Sequence, residues 1–283
     1  TLIGYDVLSS YAGSPSGNTL IGSSVMGSAT TKGNYNIGIG FQVLYYNEVD
    51  SQVAIGHRSM YNTTTGVQNT AIGYETMLAN NVGFLNTAIG YRALYANTTG
   101  NSNTAVSYAL VANTTGVGNT AIGHVSLAAN TTGQYNTAVG FQSKGSGATG
   151  DYNVAVGYAA LNGTGSYNVA LGTLTLYSAT TGTQNTAVGG NAANAITTGS
   201  NNVIVGYNSV SSILTTGSNN TVLGVNTAVT NAGDSGNVIL GYGATATGSN
   251  QFVVGSASVN AGTVTAEAVT SDATWTVIIN GTQ

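Results

Sequence analysis

The chain has 283 residues and no cysteine, and only 4% of it is charged: four Lys and Arg against eight Asp and Glu, a formal net charge of −4. The missing cysteines exclude a disulfide framework and a thiolate metal site. Lys32, Arg58, Arg92 and Lys144 are too scattered to form the basic row that phosphate backbones require, so no nucleic acid partner is expected. No apolar run approaches the roughly 20 residues that cross a bilayer, so no transmembrane segment is expected either.

From its first residues the chain repeats. Thr1-Leu2-Ile3-Gly4 is the tail of an Asn-x-Ala-Ile/Val-Gly segment, so residue 1 falls inside a unit and more protein is expected before it. The same glycine returns at Gly22, Gly40, Gly56, Gly73 and Gly90, then as Ser107, then from Gly123 to Gly255, which makes sixteen anchors about 17 residues apart. Such a fixed period marks stacked units that each lean on their neighbours rather than one closed core. Asn, Thr, Ser and Gly alone would suggest a linker, but a linker has no reason to bring Ile, Val and Leu back at fixed phase.

The unit is clearest in Asn86-Thr-Ala-Ile-Gly90-Tyr-Arg-Ala-Leu94-Tyr-Ala-Asn-Thr-Thr-Gly100. Counted from its Asn as zero, position three is apolar throughout, as in Ile55, Ile72, Ile89, Val106, Ile122 and Val139, and is expected to fill the core. Thr at position one is expected to point inward beside it. Position two is Ala54, Ala71, Ala88, Ala105, Ala121, Ala138, Ala155, Ala170 and Ala187, then Ile204, Val222, Ile239 and Val253. A narrow roll buries one strand face, so the Ala column is expected to face outward and to form a trimer interface, where small side chains permit close approach.

Four residues past the anchor lies a second apolar column, including Met60, Met77, Leu94, Leu127, Leu161 and Leu176, with Lys144 as the exception; it predicts a second strand per unit. The return corner is Thr-Gly, where the glycine is expected to supply a positive φ. Ser107 suggests that the anchor itself needs none. Two strands and two corners per unit make an all-β chain, a parallel β-solenoid of about 16 coils stacked at ~4.8 Å over roughly 75 Å. The repeat occupies 1–255. Residues 256–283 break the period, hold the single Trp275, and are expected to be an extended connector or cap.

The Asn-Thr-Ala-Ile-Gly unit with its Thr-Gly corner resembles the head repeats of trimeric autotransporter adhesins, which phage and virus tail fibres also carry. The match is best in Leu240-Gly-Tyr-Gly-Ala-Thr-Ala-Thr-Gly248-Ser-Asn-Gln-Phe-Val-Val-Gly255, where the anchors are 14 residues apart, as is usual in that family. The resemblance implies a left-handed β-roll, three rolls packed about one axis as a parallel homotrimer, and an extracellular, cell-surface or virion location. Most coils here are about three residues longer.

Candidate sites are few. Glu48 and Asp50 share a face by spacing but are read as a solvated corner. His57 and His124 both follow an anchor four coils apart, roughly 19 Å, too far to share a metal within the chain. Only Asp151 and Asp234 lie near glycine-rich corners, so no repeated ion site is expected. No metal or cofactor is expected. The residue after the anchor is otherwise aromatic, giving a column of Tyr5, Phe41, His57, Tyr74, Tyr91, Tyr108, His124, Phe141, Tyr158, Tyr207 and Tyr242, read first as packing and second as a glycan-contacting stripe. Sequons at Asn62, Asn97, Asn113, Asn130, Asn162, Asn219 and Asn280 fall mostly in corners, where Asn and Thr already serve the turn.

Three function classes follow. The first is a trimeric surface or tail fibre, an adhesin segment that gives reach, stiffness and attachment to a cell-surface glycan or receptor. The second is an ice-binding solenoid, disfavoured by the inward direction expected for Thr. The third is a polysaccharide-acting enzyme, which lacks clustered acids, and the chain is read as no enzyme.

Overall fold

The computed structural model describes residues 1–8, 15–28 and 33–255. The terminal segment 256–283, with Trp275 and Asn280, lies outside the described residues, as does Lys32. One sheet of sixteen parallel strands runs from Leu2–Tyr5 to Phe252–Val254, with sequence neighbours hydrogen-bonded in chain order. The chain is therefore a parallel β-solenoid with a repeat of about 17 residues. Register does not slip: Ala71 pairs with Ala88, Ala88 with Ala105 and Ala105 with Ala121. Spacing between paired residues varies from 14, Val238 to Phe252, to 18, Val203 to Thr221, so corners absorb insertions while the strands stay aligned.

The two strand faces are the reverse of those expected. Ala54, Ala71, Ala88, Ala105, Ala121, Ala138, Ala155 and Ala170 are 0% exposed and Ala187 is 1% exposed within the single chain, so they fill the roll interior. Position three points out: Ile89 is 39% exposed, Ile122 41% and Leu223 56%. The expected outward Ala column and its trimer contact are thus overturned. The reason is volume. Each Ala faces the Leu/Met column returning from the same coil, and Met60, Met77, Leu94, Leu127 and Leu176 are all fully buried. A larger residue at this position needs room from its neighbour: Leu20 is buried opposite Met26, and the next coil has Gly38, where an added Cβ would come within 3.0 Å of Leu20 and 3.2 Å of Leu44. Where position two grows to Ile204, Val222 and Ile239, the buried residues of the return side include the smaller Val210, Val229 and Ala246.

The second strand per coil is also corrected. The return side is made of turns, because the second and fourth residues after most anchors adopt left-handed φ, as in Glu75 and Met77 (both +49°) and Arg92 and Leu94 (+51° and +52°), while after Ser107 it is Leu110 (+50°) that does so. Alternating left-handed residues curl the chain sharply. Among the described residues only Ala228–Val229 and Thr245–Ala246 pair as a second, two-stranded sheet.

The roles of the two glycines are exchanged as well. The anchors carry the positive φ, +143° at Gly73 and +123° at Gly90, and Ser107 is held at +79°, so it is strained rather than tolerated. The corner glycines are needed for closeness instead: a Cβ on Gly100 would collide with Asn97 Oδ1 and with the Gly116 carbonyl oxygen.

What closes the roll is a buried amide ladder at position zero. Asn103 shows the pattern. Its backbone N–H donates to Asn86 Oδ1 (3.0 Å), its Nδ2 donates to Asn86 Oδ1 (3.2 Å) and to the Gly116 carbonyl (2.8 Å), and its Oδ1 accepts from the Asn119 N–H (2.9 Å). Each Asn therefore ties three coils. The backbone links run from Asn36 on Asn18 to Gln251 on Asn237, with Gln52 standing in for one Asn. A second, shorter ladder joins Asn80, Asn97, Asn113 and Asn130. These amides satisfy backbone groups that a thin roll cannot pair otherwise.

Candidate functional site

Strand alternation puts positions one and three on the same outer face, and the residue after the anchor beside them. Thr70, Thr87, Thr104, Thr120 and Thr137 are half-buried on this face and not inside it, which corrects the inward direction expected for Thr. Together with the Ile/Val column they make a nearly uncharged strip along the whole sheet.

The aromatic column is real and continuous over eight coils. Phe41, His57, Tyr74, Tyr91, Tyr108, His124, Phe141 and Tyr158 stack ring on ring, with centroids 4.9 to 5.9 Å apart and interplanar angles of 8° to 29°. Tyr5, Tyr207 and Tyr242 are exposed but stand outside that run. Each inner ring has both faces covered by its neighbours and presents its edge to solvent. Stacking a sugar needs an open face, so the ladder favours the packing reading over the glycan stripe. Beside it lies a shallow hollow of about 410 Å³ at the Ser107 rung, lined by Gly90, Tyr91, Ser107, Tyr108 and His124.

The sequons separate by burial. Asn97, Asn113 and Asn130 are 0% exposed and bonded into the second ladder, so their side chains are closed to modification in the folded chain. Asn62 and Asn219 are exposed and Asn162 is half-buried. The acids of the corners act as local caps. Asp50 Oδ1 accepts from the Asn34 N–H at 2.6 Å, Asp151 Oδ1 from the Gln134 N–H at 2.7 Å, and Asp234 Oδ2 from the Asn231 N–H at 3.0 Å. Glu48 sits near Asp50 in a corner and not on a strand. Among the described residues no group of three His, Cys, Asp or Glu gathers as a metal site. His57 and His124 enter the ring ladder separately. Among the described residues no helix is long and apolar enough to cross a membrane.

Two charged features went unread in the sequence. Glu75 is clamped between Arg58 (3.6 Å) and Arg92 (2.7 Å), and the guanidinium groups lie over Tyr61, Tyr91 and Tyr95. The hydrogen bond from Arg92 to Glu75 raises the Arg92 pKa. Residues 58, 75 and 92 are one period apart, a signal that was available. Lys144 occupies a Leu position of the core at 0% exposure; burial lowers its pKa to about 8, with Asp151 pulling the other way. Its Nζ donates to the Gly163 carbonyl (3.4 Å) and lies 2.8 Å from where a Cβ of Gly147 would be. Gly147 stands where the second ladder would place its next Asn, and Asn130 Oδ1 is left without a partner. The lysine thus fills the space that the glycine opens.

No family model matches the chain, and neither a curated protein nor a solved structure matches it.

Proposed function

We propose that the chain is a structural segment of a trimeric surface or tail fibre, in which three left-handed rolls pack in parallel through the outer Ile/Val and Thr face. The observation that carries this is the half-exposed apolar column at position three, continued over sixteen rungs or roughly 75 Å. Soluble monomers seldom leave so long an apolar strip open. The parallel, in-register stack supports it further, because identical chains would present identical columns and could close about one axis. The resemblance to adhesin head repeats points the same way, and it assigns the fibre reach, stiffness and attachment to a cell-surface partner.

Ice binding is the second reading, and the outward Thr row from Thr70 to Thr137 now favours it more than the sequence did. It needs the same face open to water, so the two readings exclude each other. Ile122→Arg places charge on the face without entering the roll. In the fibre reading it reduces the assembly to single chains in light scattering, while Thr64→Arg at a corner leaves assembly intact. A chain that stays single without any substitution and shows thermal hysteresis would replace the fibre reading with the ice-binding one.

A further inference from the structure

Outside the sheet and its ring ladder, the chain carries a groove of about 530 Å³, within the ~300–1,000 Å³ typical of small-molecule sites. It is lined by Tyr46, Glu48, Asn62, Thr64, Ala79 and Asn81, with Val82, Thr98 and Thr99 at its end. None of these residues lies in a strand, so a trimer closed on the sheet face leaves the groove open.

Its chemistry differs from that of the ladder. Tyr46 meets Tyr45 and Tyr61 edge to face, at 88° and 89°, and among the described residues no ring is stacked on it. It is 40% exposed where it borders the groove. Thr64 Oγ1 donates to Asn81 Oδ1, which fixes that amide and leaves Nδ2 as the end turned to donate. Asn62 is exposed on the same wall. The groove thus combines an unstacked aromatic ring, two amides, threonine hydroxyls and one carboxylate. Amides and carboxylates bind paired hydroxyls, and an aromatic ring covers the apolar face of a pyranose. Glu48 is the one charged residue in the lining. Its negative charge disfavours anionic glycans.

From this we infer that the Tyr46 groove binds a neutral hexose or N-acetylhexosamine unit of a glycan. This deepens the fibre reading by giving attachment a site, and rests on that reading only for where the glycan comes from.

The test is binding of the full chain to an array of neutral hexose and N-acetylhexosamine oligosaccharides, printed beside sialylated and sulfated ones. The best neutral oligosaccharide is then titrated by calorimetry. Tyr46→Ala and the groove-filling Ala79→Leu should each weaken binding by roughly tenfold or more, and Tyr91→Ala in the ladder should not. Ala79→Leu keeps the test sound if Tyr46→Ala disturbs its aromatic neighbours. No binding to any neutral glycan, a preference for anionic ones, or binding that survives Ala79→Leu would each overturn the inference. Sedimentation on the same samples shows separately whether the chain trimerises, so failure of assembly and failure of the groove are distinguishable.

Discussion

Replacing Asn103 by Ala tests whether the buried amide ladder holds successive coils together. Asn103 is fully buried, and its Oδ1 is the acceptor for the Asn119 backbone N–H at 2.9 Å. Truncation leaves that N–H buried and unpaired, at about 1–3 kcal/mol, and removes three further hydrogen bonds whose net worth is about 0.5–1.5 kcal/mol each. Some of that is recovered, since the Gly116 carbonyl still accepts from Asn113 Nδ2 and Asn119 Nδ2 still donates to the Gly133 carbonyl. The expected loss is about 3 kcal/mol. Asn97→Ala in the second ladder is the control. It strands no backbone donor, the Gly100 carbonyl keeps Asn86 Nδ2 at 2.9 Å, and an unpaired Oδ1 is already borne at Asn130. That change removes three hydrogen bonds, to Asn80, Gly100 and Asn113, but no bond to a backbone N–H, and should cost about 2 kcal/mol. Urea unfolding followed by circular dichroism gives the two totals, and hydrogen exchange at the Asn119 amide reads the site itself, with exchange faster by roughly a hundredfold in Asn103→Ala. Equal losses in the two variants, or an unchanged Asn119 amide, would refute the claim that the position-zero ladder fastens the coils.

Three other outcomes are expected. Ser107→Gly should stabilise the chain by about 1 kcal/mol in the same urea titration, because it relieves a non-glycine residue held at a φ of +79°. Lys144 has its pKa lowered to about 8 from 10.5, so between those values the unfolded chain binds more protons and stability should rise with pH, by about 3 kcal/mol in all. Lys144→Met should be more stable at pH 7 and flat across that range, as thermal melts at several pH values would show. Ala138→Arg should abolish the fold itself, seen as loss of the β-sheet signal, because Ala138 lies inside the roll at 0% exposure.

The period, the anchors and the parallel stack were legible because an apolar residue returning once per coil at one phase is what stacked strands in register demand and what a closed core or a linker does not produce. Which strand face turned inward was not legible. Ala and Ile are both apolar, and only the size of Met77 or Leu94 across the roll decides between them. A comparison of the two columns held the clue, since position two grows at Ile204 where the opposite side falls to Val210. The second strand was misread because left-handed φ at Glu75, Met77, Arg92 and Leu94 carries no residue-type signature; none of the four is glycine, Asn or Asp. The Asn at position zero was visible in nearly every unit but was used as a phase marker, although a side chain with both donor and acceptor repeated at strand spacing is what a ladder requires. The Tyr46 groove was hidden because Tyr46, Asn62 and Ala79 come from three coils and share no motif.

The claim on which the functional account turns is that the outer Ile/Val face is covered by two further copies of this chain. Sedimentation equilibrium over nanomolar to micromolar concentrations measures it without a label or a ligand. The account predicts a species of three times the chain mass, lost in Ile122→Arg; a single chain across that range, or a trimer indifferent to Ile122→Arg, would contradict it.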